Sequence, residues 1–269
     1  KHIDHLSKAN QDLNNSLKKE NDARKRADIQ RLMAVIENFQ LKIKSAIDSG
    51  QIDDISFYLL WEAVVVELIE IKNRVEKESE INEQDKKLLD KLDALIKGEG
   101  NKDDLEYLRN TIFNKHKKVV LKSFFQLILK HERHTKETIH NNIEIVNKKT
   151  DEIYRLEERK RVEGLSTSEE NIFNVCKAEK EKATNENIIL KDNLKRIQYF
   201  KVILGKISIG DNFDKINEDK QLYKAYNIIL KYLNKKEFTP DERKFIEAFY
   251  MSYQKEVDDY ISKEYKDAT

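Results

Sequence analysis

The residues in this chain best suited to catalysis are Arg109 and His116, which lie seven positions apart in the stretch RNTIFNKH. A histidine can transfer protons near neutral pH, and an arginine can stabilise the charge that develops on a phosphate during cleavage. Residues with this separation share a face of a helix, so both side chains can reach one substrate. The pair therefore suits cleavage of a phosphodiester bond.

The same stretch resembles the Arg-x(4–6)-His motif of the HEPN nucleases, in which a polar residue often follows the arginine, as Asn110 does here. The resemblance implies a metal-independent ribonuclease with Arg109 and His116 as its catalytic pair. A second match, from Arg133 to His140, is expected on the same helix. Short motifs also arise by chance, and the alternative is that these residues lie on solvated helix faces.

The composition predicts an all-α fold, in the form of an elongated helical bundle. The 269 residues include only six glycines and one proline, too few for the turns of a sheet-rich protein, and 38% are charged. Lys and Arg number 51 against 50 Asp and Glu, so no overall field attracts nucleic acid, and we expect none as a partner. The single cysteine, Cys176, excludes an internal disulfide.

The sequence contains no run of the roughly 20 apolar residues that a membrane helix needs. The first residues, KHIDHLSKANQDLNN, lack the apolar core of a secretion signal. We therefore expect a soluble protein without an integral membrane segment, either cytoplasmic or delivered into a host cytoplasm. The chain starts without Met, which is typical of an excised domain.

Apolar periodicity and the positions of glycine predict the helices of the N-terminal part. A first helix is expected up to about Asp48, frayed over its more polar first 25 residues. A buried central helix is expected around the apolar run of residues 57–71, and a short helix over about 82–97. One very long helix is then expected from about Lys102 to Val162.

The middle of the chain, residues 131–187, predicts a projecting coiled-coil hairpin. Gly164 breaks the first long helix, and Ser166 with Glu169 has the spacing of a capping box that starts the second. The hairpin is rich in Lys, Glu, Asn and Thr, so its helices can bury only each other. At about 1.5 Å per residue it would project roughly 40 Å from a core formed by residues 1–130 and 188–269. The stripe expected to face the partner helix comprises Ile139, Ile143, Val146 and Ile153.

A helix-turn-helix pattern occurs twice, beginning at Ile81 and at Ile216. Duplication and convergent helical patterning both explain it. The second copy places Glu247 and Gln254 opposite Arg109 and His116, which argues against a catalytic role for the first pair.

Two sets of residues are candidate binding surfaces. The expected tip of the hairpin carries Tyr154, Arg155, Arg159 and Arg161, and the last helix carries Tyr250 and Tyr253, whose rings tolerate partial exposure. No familiar ligand spacing surrounds His131, His134 and His140, so no metal and no cofactor is expected.

These features favour a non-enzymatic module that binds another protein through the hairpin and the adjoining faces. A bacterial effector or adaptor that binds a small GTPase is one form of this hypothesis. The alternatives are the HEPN-like ribonuclease and a structural coiled-coil protein that assembles into homo-oligomers.

Overall fold

The computed structural model describes residues 2–48, 55–78, 80–234 and 236–266. Every regular element within these ranges is a helix, so the predicted all-α fold is confirmed. No helix of the described ranges is long and apolar enough to cross a membrane. The α-helices are α1 (His2–Lys19), α2 (Ala23–Asp48), α3 (Ile55–Glu78), α4 (Glu83–Ile96), α5 (Lys102–Lys115), α6 (Lys117–Val162), α7 (Thr167–Ser208), α8 (Lys220–Leu233) and α9 (Pro240–Glu264). A 3-10 helix at Ile209–Lys215 lies between α7 and α8.

The chain divides into two compact units. The first comprises residues 1–124 and 230–237, and the second comprises residues 125–229 and 238–269. The sequence-based division into 1–130, 131–187 and 188–269 stays a prediction.

In the first unit, α1 packs against α2 and α3, and α5 packs against α3 and α4. The central helix α3 is buried as predicted, with Leu59, Val64 and Leu68 almost fully shielded from solvent. The side chain of Phe57, where the apolar run begins, lies outside the described part. Burial of these aliphatic side chains is the main source of stability for such a bundle.

The predicted single N-terminal helix is wrong, because residues 20–22 separate α1 from α2. Asp22 accepts hydrogen bonds from the amides that start α2, and Arg26 donates to the carbonyls of Leu17 and Glu20 at 2.6 and 2.8 Å. These bonds satisfy backbone groups that a helix end leaves without partners. The expected fraying is also wrong, since α1 buries Leu6 and Leu13 completely.

The predicted helix from Lys102 to Val162 is likewise two helices, which meet at His116. The backbone there takes φ −118° and ψ 35°, outside the helical range. Its amide still donates to Ile112 and its carbonyl still accepts from Val120, both at 3.0 Å. The side chain turns inward to a carboxylate on α3, and this contact explains a break that neither glycine nor proline marks.

Capping side chains start three of the helices, and the start at Ser166 was predicted. Asn101 begins α5 and Thr239 begins α9, and each forms a capping box with the acidic residue three positions later. Ser166 begins α7 and accepts a bond from the Glu169 amide, but the Glu169 carboxylate contacts the Ser166 hydroxyl rather than its backbone. Each copy of the repeat is therefore a helix, a short link and a capped helix.

In the second unit, α7 packs closely against α9. Gly205 lies inside α7, where glycine is normally unfavourable. A Cβ atom at this position would overlap the side chain of Val257 on α9. The glycine is therefore explained by the close approach of the two helices.

Helices α6 and α7 contact each other in antiparallel order within the second unit. Moving outward along α6, the partners on α7 run backward, from Glu132 with Lys201 to Lys149 with Glu179 and then to Lys160 with Glu170. We call residues 131–187 the arm. Coiled-coil packing and projection of the arm stay predictions.

The contact seam of the arm differs from the predicted stripe. Ile139 is buried, but Ile143 is 43% exposed and lies outside the seam. The space is filled instead by a polar pair, in which Asn142 donates to the Asn187 side chain at 3.0 Å. Asn187 in turn donates to the Ile139 carbonyl at 3.3 Å, so both amides are satisfied where they are buried.

Candidate functional site

A buried polar cluster occupies the first unit at the junction of α5 and α6. Glu67 on α3 is only 1% exposed, and its Oε2 lies 2.6 Å from His116 Nε2. Its other oxygen accepts a bond from Lys115 at 2.6 Å and lies 3.4 Å from Arg74 Nη2. Glu70, one turn further along α3, places Oε2 3.8 Å from the same histidine nitrogen. The break at His116 is thus what brings the imidazole to the two carboxylates.

The electrostatics of the cluster keep Glu67 ionised. Burial alone would raise its pKa, but the hydrogen bonds from His116 and Lys115 outweigh burial and lower the pKa from 4.5 to about 2. Arg74 also pairs with Asp85 through two bonds of 3.1 and 2.9 Å. Each buried charge of the cluster therefore has a partner of opposite sign, as the cost of desolvation requires.

The structure places the two candidate catalytic residues in different surroundings. His116 is 7% exposed and is held by Glu67, whereas Arg109 lines a small cavity of about 20 Å³ beside Leu59 and Asn234. Such a cavity holds about one water molecule and has no room for a nucleotide. The second match, from Arg133, lies on α6, so the expectation that both matches share one helix is wrong.

The predicted tip residues of the arm divide into two groups. Tyr154 is 64% exposed, and Arg155 is also exposed. Arg159 pairs with Glu169 across the hairpin at 3.2 Å, and Arg161 bonds Glu158 on its own helix at 2.9 Å. The two arginines thus contribute to the hairpin itself.

Aliphatic side chains that were not predicted as a surface are exposed within the arm and, on α7, just beyond its last residue. Ile172, Val175 and Ile189 are each more than half exposed, and they follow one flank of α7 beside the seam. Ile145 is exposed on the corresponding flank of α6. We call these four residues the arm flank. The signal in the sequence is the 14-residue separation of Val175 and Ile189, which equals two heptads.

The two tyrosines of α9 lie in the second unit and are half-buried. Tyr253 donates to Gln221 at 2.8 Å and packs under Lys206, so its polar tip is engaged within the fold. Tyr250 contacts Tyr199 edge-on and lines a cavity of about 540 Å³. Burial raises the pKa of Tyr250. Other charged residues lining this cavity are Glu132, Arg133, Lys136, Glu137, Lys201 and Asp258.

Cys176 lies in the seam of the arm. It is 2% exposed and its thiol donates to Glu152 at 2.9 Å. This hydrogen bond and burial raise the pKa of the thiol. A thiol kept protonated is a poor nucleophile, so the surroundings of Cys176 fit a seam residue.

No protein-family profile, curated protein or solved structure matches the chain.

Proposed function

We propose that the protein is a non-enzymatic interaction module that binds a helix of another protein along the arm flank. The observation that carries the proposal is the distribution of side chains on the arm. The arm buries asparagine, threonine and cysteine beside Ile139, Phe173 and Ala183, while the aliphatic side chains of the arm flank face solvent. In a hairpin whose exposed faces have no partner, we would expect these aliphatic side chains in the seam and the polar side chains at the surface.

The spacing of the arm flank indicates the chemistry of the partner. Val175 and Ile189 are two heptads apart, and Ile172 precedes Val175 by one turn. A helix lying alongside α7 and carrying aliphatic residues at heptad spacing can cover all three. Between them lie exposed charges, including Lys182 and Glu186, which can set the register of the partner.

The chain itself offers a closely matched control for this surface. Ile188 and Ile189 are neighbours with nearly equal exposure, 64% and 63%, but point to opposite flanks of α7. The test variant is Val175→Glu with Ile189→Glu. The control is Asn174→Glu with Ile188→Glu, which adds the same charges one position earlier.

The experiment compares protein captured from lysate by the wild type, the test variant and the control, with partners identified by mass spectrometry. We expect a partner that the wild type and the control retain and that the test variant loses at least tenfold. Equal capture by all three proteins, or capture of nothing, would overturn the proposal. Light scattering on the same samples identifies the self-assembly alternative, in which the retained partner is a second copy of the chain.

The non-enzymatic part of the proposal is tested separately with labelled RNA. We expect identical cleavage traces for the wild type and Arg109→Ala, because His116 is held by Glu67 and the cavity at Arg109 cannot admit a nucleotide. Cleavage by the wild type that the variant loses would restore the nuclease alternative.

A further inference from the structure

We propose that Glu67, Glu70 and His116 form a binding site for a divalent transition-metal ion such as Zn²⁺. One donor atom from each of the three residues lies within 4.8 Å of the other two. In the part of the chain that the structure describes, these residues are the one such group of three. The site is independent of the interaction surface proposed above.

The backbone arranges the three donors without help from a loop. Glu67 and Glu70 are three residues apart on α3, so their carboxylates share one face of the helix. His116 reaches that face because the chain breaks between α5 and α6. The donors of a tetrahedral zinc site, each about 2 Å from the metal, are roughly 3.3 Å from one another. His116 Nε2 lies 2.6 Å from Glu67 Oε2 and 3.8 Å from Glu70 Oε2, close to this spacing.

The surrounding cations orient the carboxylate of Glu67 and leave one of its two oxygens available to a metal ion. Lys115 and Arg74 both contact Oε1 of Glu67, which leaves Oε2 facing the histidine. Metal-bound carboxylates are commonly held by hydrogen bonds to their second oxygen in this way. Arg74 is also bonded to Asp85 and lies 4.0 Å from Glu70. Counted without the histidine, the three carboxylates of Glu67, Glu70 and Asp85 face the two cations Lys115 and Arg74, so these groups carry a net negative charge that favours a bound cation.

The types of donor select the class of metal. An imidazole nitrogen favours zinc and its transition-metal neighbours over magnesium or calcium, which prefer oxygen donors alone. Three protein donors leave a fourth position for water, on the side where Glu70 is 43% exposed. Because Glu70 is exposed, its side chain can move onto an ion without disturbing the core.

Zn²⁺ and Co²⁺ are the probes for the test, which uses the full chain after treatment with a chelator. Calorimetry measures Zn²⁺ binding, and visible absorption of Co²⁺ reports four-coordinate geometry. The informative variant is Glu70→Gln. Glu70 takes no part in the hydrogen bond between Glu67 and His116, so we expect this variant to keep its fold. Glu78→Gln removes an exposed carboxylate from the same helix and is the matched control.

We expect saturable binding with one ion per chain, weakened at least tenfold by Glu70→Gln and unchanged by Glu78→Gln. Absence of saturable binding would overturn the proposal and leave the cluster as an ion-pair network. Binding that Glu70→Gln does not weaken would also overturn it, because the ion would then lie elsewhere, for example at His140 and Glu144, which are 3.4 Å apart on α6.

Discussion

At the scale of single residues, Glu67 gives the first unit a defined response to acid. Its pKa in the folded protein is about 2, below the usual 4.5, because hydrogen bonds from His116 and Lys115 outweigh the effect of burial. A lowered pKa contributes stability that is complete above the unfolded value and is lost as the pH falls toward the folded value. The contribution at neutral pH is on the order of 3 kcal/mol.

We therefore expect Glu67→Gln to lower the free energy of unfolding at pH 7 by roughly 2–3 kcal/mol, and by progressively less between about pH 5 and pH 2. Urea unfolding followed by the fluorescence of Trp61, which lies on the same helix, measures this difference. Glu78→Gln controls for the loss of a carboxylate from α3. A destabilisation that stays constant across this pH range would contradict the assignment.

Part of this cluster could be predicted from the sequence. Glu67 and Glu70 are charges within the most apolar run of the sequence, and His116 belongs to the motif that begins at Arg109. Their contact was not predictable, because 49 residues separate Glu67 from His116 and no local pattern connects them. The motif contains His116 but pairs it with Arg109, whereas in the structure His116 contacts the buried carboxylate of Glu67.

At the scale of helices, the reliable signals were those that act over a few residues. Asn101 and Thr239 each satisfy an amide three positions later, so their effect is contained in the local sequence. The breaks at residues 20–22 and at His116 depend on side chains that find distant or buried partners. Neither break carries a glycine or a proline, so the local sequence did not predict them.

In the seam of the arm, local periodicity also failed to predict which side chain is buried. Periodicity predicted Ile143 as a seam residue, but Asn142, paired with Asn187, is the buried residue at this level of the seam. A buried asparagine pair restricts a helix pair to one register at some cost in stability.

Gly205 provides a test of helix packing in the second unit. Gly205→Ala would ordinarily stabilise a helix by about 1 kcal/mol. Here the added Cβ overlaps Val257, so we expect the variant to lose about 1–3 kcal/mol instead. Chemical unfolding followed by circular dichroism measures the change.

The control for this prediction is a double-mutant cycle with Val257→Ala. If the overlap is the cause, Gly205→Ala should cost much less when the valine side chain has been shortened. An equal cost in both backgrounds would show that the glycine is required for another reason.

At the scale of the whole molecule, we expect the compact part of the second unit to fold without the arm. The first turn of the arm contacts the compact part of the second unit: Lys201 lies 3.1 Å from Glu132, at the start of the arm, and 3.3 Å from Asp258 on α9. The buried stretch of α7 from Ile197 to Ile207 packs against α9. The first unit contains no residue of the arm.

We therefore expect a chain in which a glycine-serine linker replaces residues 134–187 to remain folded and to unfold cooperatively. Its helical circular dichroism signal should fall by the contribution of the removed helices alone, and its midpoint of unfolding should stay within about 5 °C of the wild type. The variant should also lose the partner that depends on the arm flank. A shortened chain that is unfolded or aggregated would contradict this independence, because the arm would then be part of the core and its exposed aliphatic residues would need a structural explanation instead.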